Sequence, residues 1–534
     1  MPDSRTAQRP LADIHDELTL LDTESPGRTV ARVIGIYGAL WILLTVLLSP
    51  IVPYDAVEAW HWGQGLEAGS PKNPWLVGSV AALGRFWPLS WPAFWYASHV
   101  VAVVIGAWGC WKLCERLIPD TRRAVLAVLM MSFSATISID MLPYNDNYLL
   151  MMLWPWMWYS FIRALYDDGR YWLMLGAVMA LAGMAKYTTV LYLPFMLAIV
   201  LVQGRLRATL TQPWLWGGVL VGLALIAPNL YWLSQHDYAA FRWFSTRVGG
   251  NSAWDVVRVY LAVFYNALLM VGILLLARWR WKMPERPETQ AFVIMAVVPV
   301  VLLGGYFALR GGVRTEWMMP FAVPLGLAVV MCMVPGERGR YRLPLYCSYV
   351  LAVLMLCGFG ASKAWQAMYS GRPREHVAAL SAALNSWWRE RYEQPLVYAG
   401  GSRMGDWMGI YAPDHPRVPT RWPSAAVRAL TPVDHSPYPN IYTPGLTDEQ
   451  LSRDGAMWVG EANSPCSAPS VLELDPSLSA LLRQRIEYHT LVFHQSSMPR
   501  ASFSVCVGVL PPARHGVTGT TNSVHREGVM TEDE

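Results

Sequence analysis

Charged residues are scarce in this sequence. Lys, Arg, Asp and Glu make up 15% of its 534 residues, whereas soluble proteins carry about 25%. Hydrophobic residues account for 54%, so a lipid bilayer is the predicted solvent for much of the chain. The net charge of +4 is spread over short segments and forms no basic stripe, which excludes a nucleic-acid-binding protein.

Cysteine is also scarce, and its seven copies show no spacing typical of a metal site. Five of them lie in or beside apolar segments, where a buried thiol is usually a small hydrophobic side chain. Cys466 and Cys506 lie in the polar C-terminal region, and they could form a disulfide if that region is in an oxidising compartment. The sequence identifies no metal ligands and no certain cofactor, and it leaves the use of a divalent metal ion open.

Composition divides the chain into four parts. Residues 1–29 are rich in acids and lack the positive start and apolar stretch of a cleavable signal, so we expect a cytoplasmic N-terminal lead. Residues 30–363 hold nearly all the long apolar runs and form the predicted membrane domain. Residues 364–512 alternate helix-like and strand-like stretches, which predicts a small α/β domain. Residues 513–534 are polar and are predicted to be disordered.

Apolar windows close to the length of a membrane span predict a mainly α-helical, polytopic protein with about eleven transmembrane helices. The windows are residues 31–52, 92–112, 123–141, 147–164, 171–185, 188–204, 213–233, 255–277, 289–309, 318–335 and 343–363. Lys and Arg collect in every second connection, as in short cytoplasmic loops. An odd number of spans then predicts that the N-terminus is inside and the C-terminal domain outside.

Tryptophan is abundant, with 27 copies, and many of them lie near the ends of the apolar windows. Tryptophan commonly forms aromatic belts at the two membrane interfaces, and we interpret these residues in that way. They are Trp91, Trp95, Trp154, Trp156, Trp158, Trp214, Trp216, Trp279 and Trp281.

The predicted outer loop between the first two windows is a candidate for a site, because at about forty residues it is far longer than a helix connection requires. On a helix, Asp55 and Glu58 would share a face, with Trp62 one turn beyond Glu58. Lys72 follows in the same loop. One carboxylate could take a proton from an attacking hydroxyl or amine, and the ring could stack on a sugar. From the spacing alone, a solvated interfacial helix with Trp62 as an anchor explains the pattern equally well.

Other charged residues fall on the same predicted side of the membrane. Asp146 lies at the outer start of the fourth window, where it is either functional or the cap of that helix. Lys186 lies between two short apolar runs, where a lone cation needs an anionic partner. That partner is a lipid phosphate or a membrane-buried acid; alternatively, the side chain extends to the polar interface by snorkelling. Arginine suits phosphate because its planar guanidinium makes two parallel hydrogen bonds. The further candidates are His236, Arg242, Arg314 and Glu316.

The candidate elements occur in a fixed order along the chain: Asp55, Glu58, Trp62-Gly63, Lys72-Asn73-Pro74, Asn145-Asp146, Ala185-Lys186-Tyr187-Thr188, Pro228-Asn229-Leu230-Tyr231-Trp232, Gln235-His236-Asp237, Glu316-Trp317 and Ile410-Tyr411-Ala412-Pro413. In this order they resemble the bacterial glycosyltransferases of families 39 and 83, which include aminoarabinose, galacturonic acid and hexosamine transferases acting on lipopolysaccharide and are related to protein mannosyltransferases. The resemblance covers roughly residues 30–415. There are two departures: many relatives have an adjacent Asp-Glu pair where this chain has Val57-Glu58, and His-Pro-Pro where it has Asn73-Pro74-Trp75.

The resemblance implies the membrane-embedded GT-C fold, in the bacterial inner (plasma) membrane, with the active site and the C-terminal domain on the periplasmic side. It implies a polyprenyl-phosphate-linked sugar, commonly on undecaprenyl phosphate, as the donor. Lipid A, lipopolysaccharide or another envelope component would be the acceptor, and membrane lipids would surround the enzyme. The implied catalytic base is Asp55 or Glu58. The implied phosphate ligands are Lys186, Arg242 and Arg314, and the implied cavity residues are Trp62, Lys72, Asp146, His236 and Glu316.

Two other classes of protein share part of this pattern. A lipid or sugar transporter or flippase would also have many spans with intramembrane charges, but it usually has repeated halves, and no clear repeat is found in this sequence. A noncatalytic assembly or scaffold protein would use the C-terminal domain as its working part. Within the enzyme class, a protein O-mannosyltransferase-like activity is the alternative to modification of lipid A.

Overall fold

The computed structural model of the protein is mainly helical up to residue 369 and carries a mixed β-sheet after residue 376. It describes residue 21 and the ranges 25–49, 51–70, 72–141, 147–236, 238–247, 252–310, 315–336, 340–369, 376–419, 446–466, 478–494, 502–513 and 527–531. Most of the predicted N-terminal lead therefore lies outside the described residues.

The first part of the chain consists of helices of very unequal length. They are α1 (Pro26–Leu48), α2 (Tyr54–Gly65), α3 (Trp75–Leu83), α4 (Trp91–Leu117), α5 (Thr121–Ser132), α6 (Tyr148–Tyr166), α7 (Tyr171–Ala185), α8 (Tyr192–Val202), α9 (Leu206–Leu210), α10 (Pro213–Gln235), α11 (Ala239–Arg247), α12 (Ala253–Leu276), α13 (Pro287–Arg310), α14 (Thr315–Met318), α15 (Ala322–Met331) and α16 (Arg342–Tyr369). Shorter elements are 3₁₀-helices at Gly84–Phe86, Tyr187–Leu191 and Met319–Phe321, a π-helix at Thr136–Met141, and strands β1 (Trp279–Trp281) and β2 (Met333–Pro335).

Each of the eleven predicted windows overlaps a helical segment. Among the described residues, six helices are long and apolar enough to cross a membrane. They are Pro26–Leu48, Trp91–Leu117, Pro213–Gln235, Trp254–Leu276, Pro287–Tyr306 and Arg342–Gln366. The remaining windows coincide with helices that are shorter, less apolar or interrupted: the third is broken after Ser132, and the tenth ends in strand β2. The total of eleven spans therefore stays a prediction.

The outer surface of these helices is strongly apolar. On α10, for example, Leu220, Leu223 and Tyr231 are 67%, 55% and 70% exposed. Leaving such side chains in water would cost roughly 25 cal/mol for every Å² of apolar surface. Lipid chains remove this penalty, so the exposed apolar surface agrees with a multi-pass membrane protein.

The aromatic-belt interpretation is wrong for five of the nine tryptophans. The buried ones are Trp91, Trp95, Trp154, Trp158 and Trp279, whereas Trp214, Trp216 and Trp281 are exposed. Trp154 and Trp158 both pack edge-on against Tyr192, with ring centroids 5.0 and 5.8 Å apart. They fill the space between helices, where a large ring packs well, and the position of a tryptophan along a helix does not reveal which face it occupies.

Helices α7 and α10 approach each other closely through glycines. A side chain at Gly176 would collide with the backbone of Gly218, and a side chain at Gly218 would collide with the carbonyl oxygen of Trp172. Small residues permit this backbone contact, which is a common way of packing helices in membranes. The pair brings the C-terminal end of α10 close to the residues that follow α7.

The connections rich in Lys and Arg meet at one end of the helical bundle, which we call the basic end. Arg116 pairs with Asp167 at 2.6 Å and with Glu288 at 3.3 Å, and Arg205 Nη1 donates to the carbonyl of Leu165 at 2.6 Å. Strands β1 and β2 pair antiparallel and join two further connections. The basic residues thus share one end, as the alternation of charge predicts, although the side of the membrane that this end faces stays a prediction.

The C-terminal segment, residues 376–531, surrounds a five-stranded sheet. Its elements are α17 (Val377–Tyr392), β3 (Ala399–Gly401), α18 (Arg403–Tyr411), α19 (Asp448–Asp454), β4 (Ala456–Val459), α20 (Ala480–Gln484), β5 (Glu487–His494), β6 (Phe503–Leu510) and β7 (Glu527–Thr531). The strand order is β3-β4-β6-β5-β7; β3 runs parallel to β4 and β7 parallel to β5, while β6 is antiparallel to both of its neighbours.

Alternate residues of the sheet face two separate apolar layers, as the twofold period of a strand requires. On β4, Met457 and Val459 pack with Leu384 of α17 and Met408 of α18, whereas Trp458 packs on the opposite face. Cys506 also lies on that opposite face and forms a disulfide with Cys466. The sequence had left open whether these two cysteines are bonded or free.

Strand β7 lies in the C-terminal residues 513–534. Glu527–Thr531 pairs with β5 along its free edge. Gly528-Val529-Met530 is a short apolar run, and the unpaired backbone of an edge strand readily accepts such a segment. Most of residues 513–534 lie outside the described residues, so the expectation of disorder there stays a prediction.

Candidate functional site

Helix α2 carries the two carboxylates that the sequence singled out. The helix follows Pro53, and Asp55 lies in its first turn. A negative charge there interacts favourably with the positive end of the helix dipole. Asp55 and Glu58 share a face, as their spacing predicts. Lys72 lies against both: its Nζ donates to Glu58 Oε2 at 2.6 Å and is 3.8 Å from Asp55 Oδ1.

A tight turn brings Lys72 back onto α2. The Ser70 hydroxyl donates to the carbonyl of Asn73 at 2.8 Å and accepts from the backbone N–H of Asn73 at 3.0 Å. A β-bridge between Gly69 and Pro74 closes the turn. Lys72 Nζ also lies 6.0 Å from the centre of the Trp62 ring, so four of the predicted site residues come together on α2 and its turn.

The members of this cluster differ in accessibility. The side chain of Asp55 is 33% exposed, that of Lys72 is 23% exposed and that of Glu58 is 13% exposed. Glu58 is therefore the more enclosed acid and holds the direct bond to Lys72. Asp55 has the more accessible side chain of the two acids.

The residues just before this turn join the loop to the end of α10. The Asn229 amide donates to the carbonyl of Ala68 at 2.7 Å, and Trp232 Nε1 donates to Glu67 Oε2 at 3.1 Å. Gly69 permits the approach, because a Cβ at this position would overlap the Trp232 ring. The hydroxyl of Tyr187 donates to Asn229 Oδ1 at 2.9 Å, which extends the connection to the residue that follows Lys186.

Lys186 lies at a break between α7 and the 3₁₀-helix Tyr187–Leu191, as its position between two apolar runs predicts. Its Nζ donates to Asn147 Oδ1 at 2.6 Å. Asn147 is buried and directly precedes α6. The structure thus joins Lys186 to the residue at the start of α6.

The other predicted residues are only partly connected to this region. The imidazole of His236 stacks on Trp232, with centroids 4.1 Å apart, and its Nδ1–H donates to the Trp232 carbonyl at 2.7 Å. Arg242 is an exposed residue of α11. Asp146 and Arg314 lie outside the described residues, and Glu316 is described through its backbone in α14 alone.

Sequence reasoning missed a contribution from the C-terminal segment. The hydroxyl of Tyr54, the first residue of α2, donates to Asp406 Oδ2 of α18 at 2.6 Å. The imidazole of His61 donates from Nε2 to the carbonyl of Asp406 at 2.8 Å. These partners are more than 340 residues apart, so local spacing holds no signal for them. The resemblance at Ile410-Tyr411-Ala412-Pro413 was the one hint that this part of the chain belongs near the site.

Burial shifts the pKa values of Asp406 and His61 in opposite directions. Burial raises the pKa of Asp406 to about 7; the Tyr54 hydrogen bond opposes the rise, and the nearby charge of Glu58 adds to it. Burial lowers the pKa of His61 to about 4, although its bond to the Asp406 carbonyl acts in the opposite direction. His61 is therefore uncharged at neutral pH, whereas Asp406 titrates near neutral pH.

A cavity of about 270 Å³ lies elsewhere, at the basic end, between the connections near Ile118, Lys282 and Val334. It contains none of the predicted site residues. Within the described ranges, no group of three or more His, Cys, Asp or Glu side chains is arranged to hold a metal ion.

Comparison with known proteins gives an independent indication of function. Residues 68–232 match the model of a family described as dolichyl-phosphate-mannose-protein mannosyltransferase, which indicates a glycosyltransferase. The match covers less than a third of the chain. Lys72, Asp146 and Lys186 lie inside it, whereas Asp55 and Glu58 lie before its start.

Among solved structures, the chain is similar to the arabinofuranosyltransferase AftD from Mycobacteria, with 14% sequence identity and a TM-score of 0.41. The similarity covers 91% of this chain and 42% of that one, so this chain spans less than half the length of AftD. Among curated protein sequences, none matches this chain at a significant level.

Proposed function

We propose that the protein is a membrane glycosyltransferase that moves a sugar from a polyprenyl phosphate donor to an acceptor of the cell envelope. The donor carrier in a bacterium would be undecaprenyl phosphate, and lipid A or lipopolysaccharide is the preferred acceptor. The reaction would occur at the end of the bundle that carries α2, on the periplasmic side of the inner membrane, with about eleven spans below it. The Cys466–Cys506 disulfide supports an oxidising compartment for the C-terminal segment.

One observation carries this proposal. Asp55, Glu58 and Lys72 converge on α2, and the same loop is joined through Asn229 to Tyr187, the neighbour of Lys186. Acids for proton transfer and a lysine for phosphate are the groups that sugar transfer from a lipid phosphate requires. Most of this connection falls in the segment that matches a mannosyltransferase family.

The proposed reaction is a single displacement. The acceptor hydroxyl attacks the anomeric carbon and loses its proton to a carboxylate of α2, while the bond from that carbon to the phosphate oxygen breaks. The electron pair leaves with the polyprenyl phosphate, and attack from the opposite face inverts the anomeric carbon. Lys186, with Arg242 and Arg314, would neutralise the growing charge on the phosphate, which is most effective where little water is present. Trp62, Asp146, His236 and Glu316 would line the sugar cavity.

Asp55 is the favoured base. Glu58 is engaged by Lys72 at 2.6 Å and is largely enclosed, whereas Asp55 is more exposed and farther from the ammonium group. Glu58 then holds Lys72 in position beside Asp55. This division of roles predicts different outcomes for the two acids.

The test is transfer of a radiolabelled sugar from a panel of polyprenyl phosphate donors to lipid A by the purified protein. We expect Asp55→Asn to lower kcat by about 10²- to 10⁴-fold, the usual contribution of a general base. Lys186→Ala should also strongly impair transfer, and Glu58→Gln should lower kcat less than Asp55→Asn does. Glu115→Gln is the matched control, because Glu115 pairs with Lys112 near the basic end.

Two results would contradict the proposal. Transport of a lipid or sugar without any transfer would favour a transporter or flippase. Full activity in the Asp55, Glu58 and Lys186 variants would remove the site assignment. Mass spectrometry of lipid A from cells with and without the gene would identify donor sugar and acceptor together.

A protein acceptor is the second candidate. The description of the matching family, a protein mannosyltransferase, favours it. The same assay with a peptide acceptor in place of lipid A separates the two, because only one acceptor should become labelled.

A further inference from the structure

Helix α18 of the C-terminal segment is docked directly on the start of α2. Trp407 Nε1 donates to the carbonyl of Val52 at 3.3 Å, and the backbone N–H of Val52 donates to the Tyr411 hydroxyl at 2.8 Å. The Tyr54 ring lies edge-on against Trp407, with centroids 5.6 Å apart. The guanidinium of Arg403 lies 4.9 Å from the centre of the same ring. These contacts hold the backbone at the start of α2, immediately before Asp55.

Asp406 is at the centre of this contact. Its residue is 5% exposed, and its carboxylate accepts the hydroxyl of Tyr54 at 2.6 Å. Its backbone carbonyl accepts from His61, two turns further along α2. One residue of α18 therefore bonds to α2 on both sides of Glu58.

We propose that Asp406 is a positioning residue of the transferase, which fixes the direction of Asp55 and Glu58 by holding Tyr54 and His61. This inference rests on the proposed function, since it assigns a role in that same site to the C-terminal segment. Asp406 does not touch the reacting atoms and acts through α2.

The physical reason is the geometry of the helix start. Asp55 is the second residue of α2, so rotation of the first turn changes the direction of its carboxylate directly. Removing the Asp406 carboxylate leaves the Tyr54 hydroxyl without this acceptor and opens space beneath the first turn. A displacement of about 1 Å at a reacting group can lower a rate by about 10²-fold.

The experiment compares Asp406→Ala, Asp406→Asn and Tyr54→Phe in the sugar-transfer assay. We expect Asp406→Ala and Tyr54→Phe each to lower kcat at least about tenfold, with the KM for the donor nearly unchanged. Asp406→Asn should restore kcat to within about threefold of the original protein, because an amide oxygen still accepts the Tyr54 hydroxyl. The double variant Tyr54→Phe with Asp406→Ala should lose no more than either single variant, since both remove one interaction.

Asp414→Ala is the matched control. Asp414 is also a buried acid of the C-terminal segment, with a side chain that is 2% exposed. It bonds to Arg389 and to the backbone N–H of Leu396 inside that segment. We expect this variant to retain the original kcat.

Hydrogen exchange of the backbone of α2 gives a second measurement that needs no activity. Asp406→Ala and Tyr54→Phe should speed exchange in residues 54–65, and Asp414→Ala should not. Unchanged kcat in Asp406→Ala, or unchanged exchange in α2, would overturn the positioning role. If the original protein transfers no sugar from any donor, the proposed function fails, and the exchange measurement still decides whether Asp406 holds α2.

Discussion

Lys186 owes its position to a break in the backbone. Its φ of −158° and ψ of 132° are those of an extended residue, and its N–H still bonds to the carbonyl of Ala182. The side chain therefore leaves the helix end at a point where Asn147 meets it. A single extended residue between two helices thus explains how one lysine can be held in an otherwise apolar region.

Asn147→Ala should weaken donor binding. We expect the KM for the donor to rise about tenfold, because a hydrogen bond to a charged group contributes about 1.5–3 kcal/mol and holds Lys186 in position. The measurement is the dependence of transfer rate on donor concentration.

Ser160→Ala is the control for this variant. The Ser160 hydroxyl donates to the carbonyl of Trp156 within the same helix, α6, away from Lys186. An unchanged KM in Asn147→Ala would show that Lys186 does not bind the donor or does not need Asn147.

The sequence predicted the part of the site that depends on local spacing. Asp55 and Glu58 share a helical face because they lie three positions apart, and this held in the structure. The contribution of Asp406 could not be predicted, because an acid in the first turn of a helix is commonly a surface residue that interacts with the helix dipole. In the structure Asp406 is buried where α18 packs on α2.

At the scale of elements, His61 and Asp406 give the α2–α18 contact two opposite responses to pH. Asp406 has a raised pKa of about 7, so the folded state keeps a proton that the unfolded state loses above about pH 4. The free energy of unfolding therefore falls as pH rises from about 4 to about 7. His61 has a lowered pKa of about 4, so the folded state lacks a proton that the unfolded state binds below about pH 6.5, and stability falls as pH drops. Each slope is about 1.4 kcal/mol per pH unit. The charged or titratable groups around the two are Tyr54, Glu58, Arg403, Arg417 and Glu461.

Single variants should separate these two slopes. As pH rises from about 4.5 to about 6.5, the stability of Asp406→Asn should increase relative to that of the original protein. Over the same range, the stability of His61→Gln should decrease relative to that of the original protein. Thermal unfolding followed by tryptophan fluorescence measures both differences. Parallel pH profiles for the original protein and both single variants would contradict this prediction.

The α7–α10 contact supplies a prediction about packing. Gly218→Ala should destabilise the protein by about 1–3 kcal/mol, because the new methyl group meets the Trp172 carbonyl and separates the helices. Gly272→Ala in α12 is the control, since no atom beyond the adjoining backbone of its own helix lies within 4 Å of the added Cβ, and it should be neutral or stabilising by up to about 1 kcal/mol. Equal thermal stabilities of the two variants in detergent would contradict the close contact.

At the scale of the whole molecule, the grouping of basic connections agrees with the predicted alternation of spans. Hydropathy predicted where the helices lie because lipid requires long apolar stretches. It did not predict that Trp95, Trp154 and Trp158 are buried, since lipid and protein interior are both apolar and a sequence does not distinguish them. For the same reason, residues 123–141 resembled a continuous span although the helix is interrupted after Ser132.

Cysteine labelling tests the orientation. Ser90→Cys and Ala208→Cys, each in a chain with the exposed Cys357 replaced by Ser, introduce thiols at exposed positions at opposite ends of the bundle. A membrane-impermeant maleimide added to spheroplasts should label Ser90→Cys at once and Ala208→Cys only after permeabilisation. The reverse pattern would put α2 in the cytoplasm and would remove the periplasmic reaction.

The pairing of β1 with β2 has a mechanical consequence. It ties the α12–α13 hairpin to the α15–α16 hairpin through backbone hydrogen bonds, reinforced by the bond from the Lys282 N–H to the Cys332 carbonyl at 2.8 Å. The two hairpins cannot part at that end without breaking these bonds. Any movement of one hairpin relative to the other must therefore be larger at the opposite end.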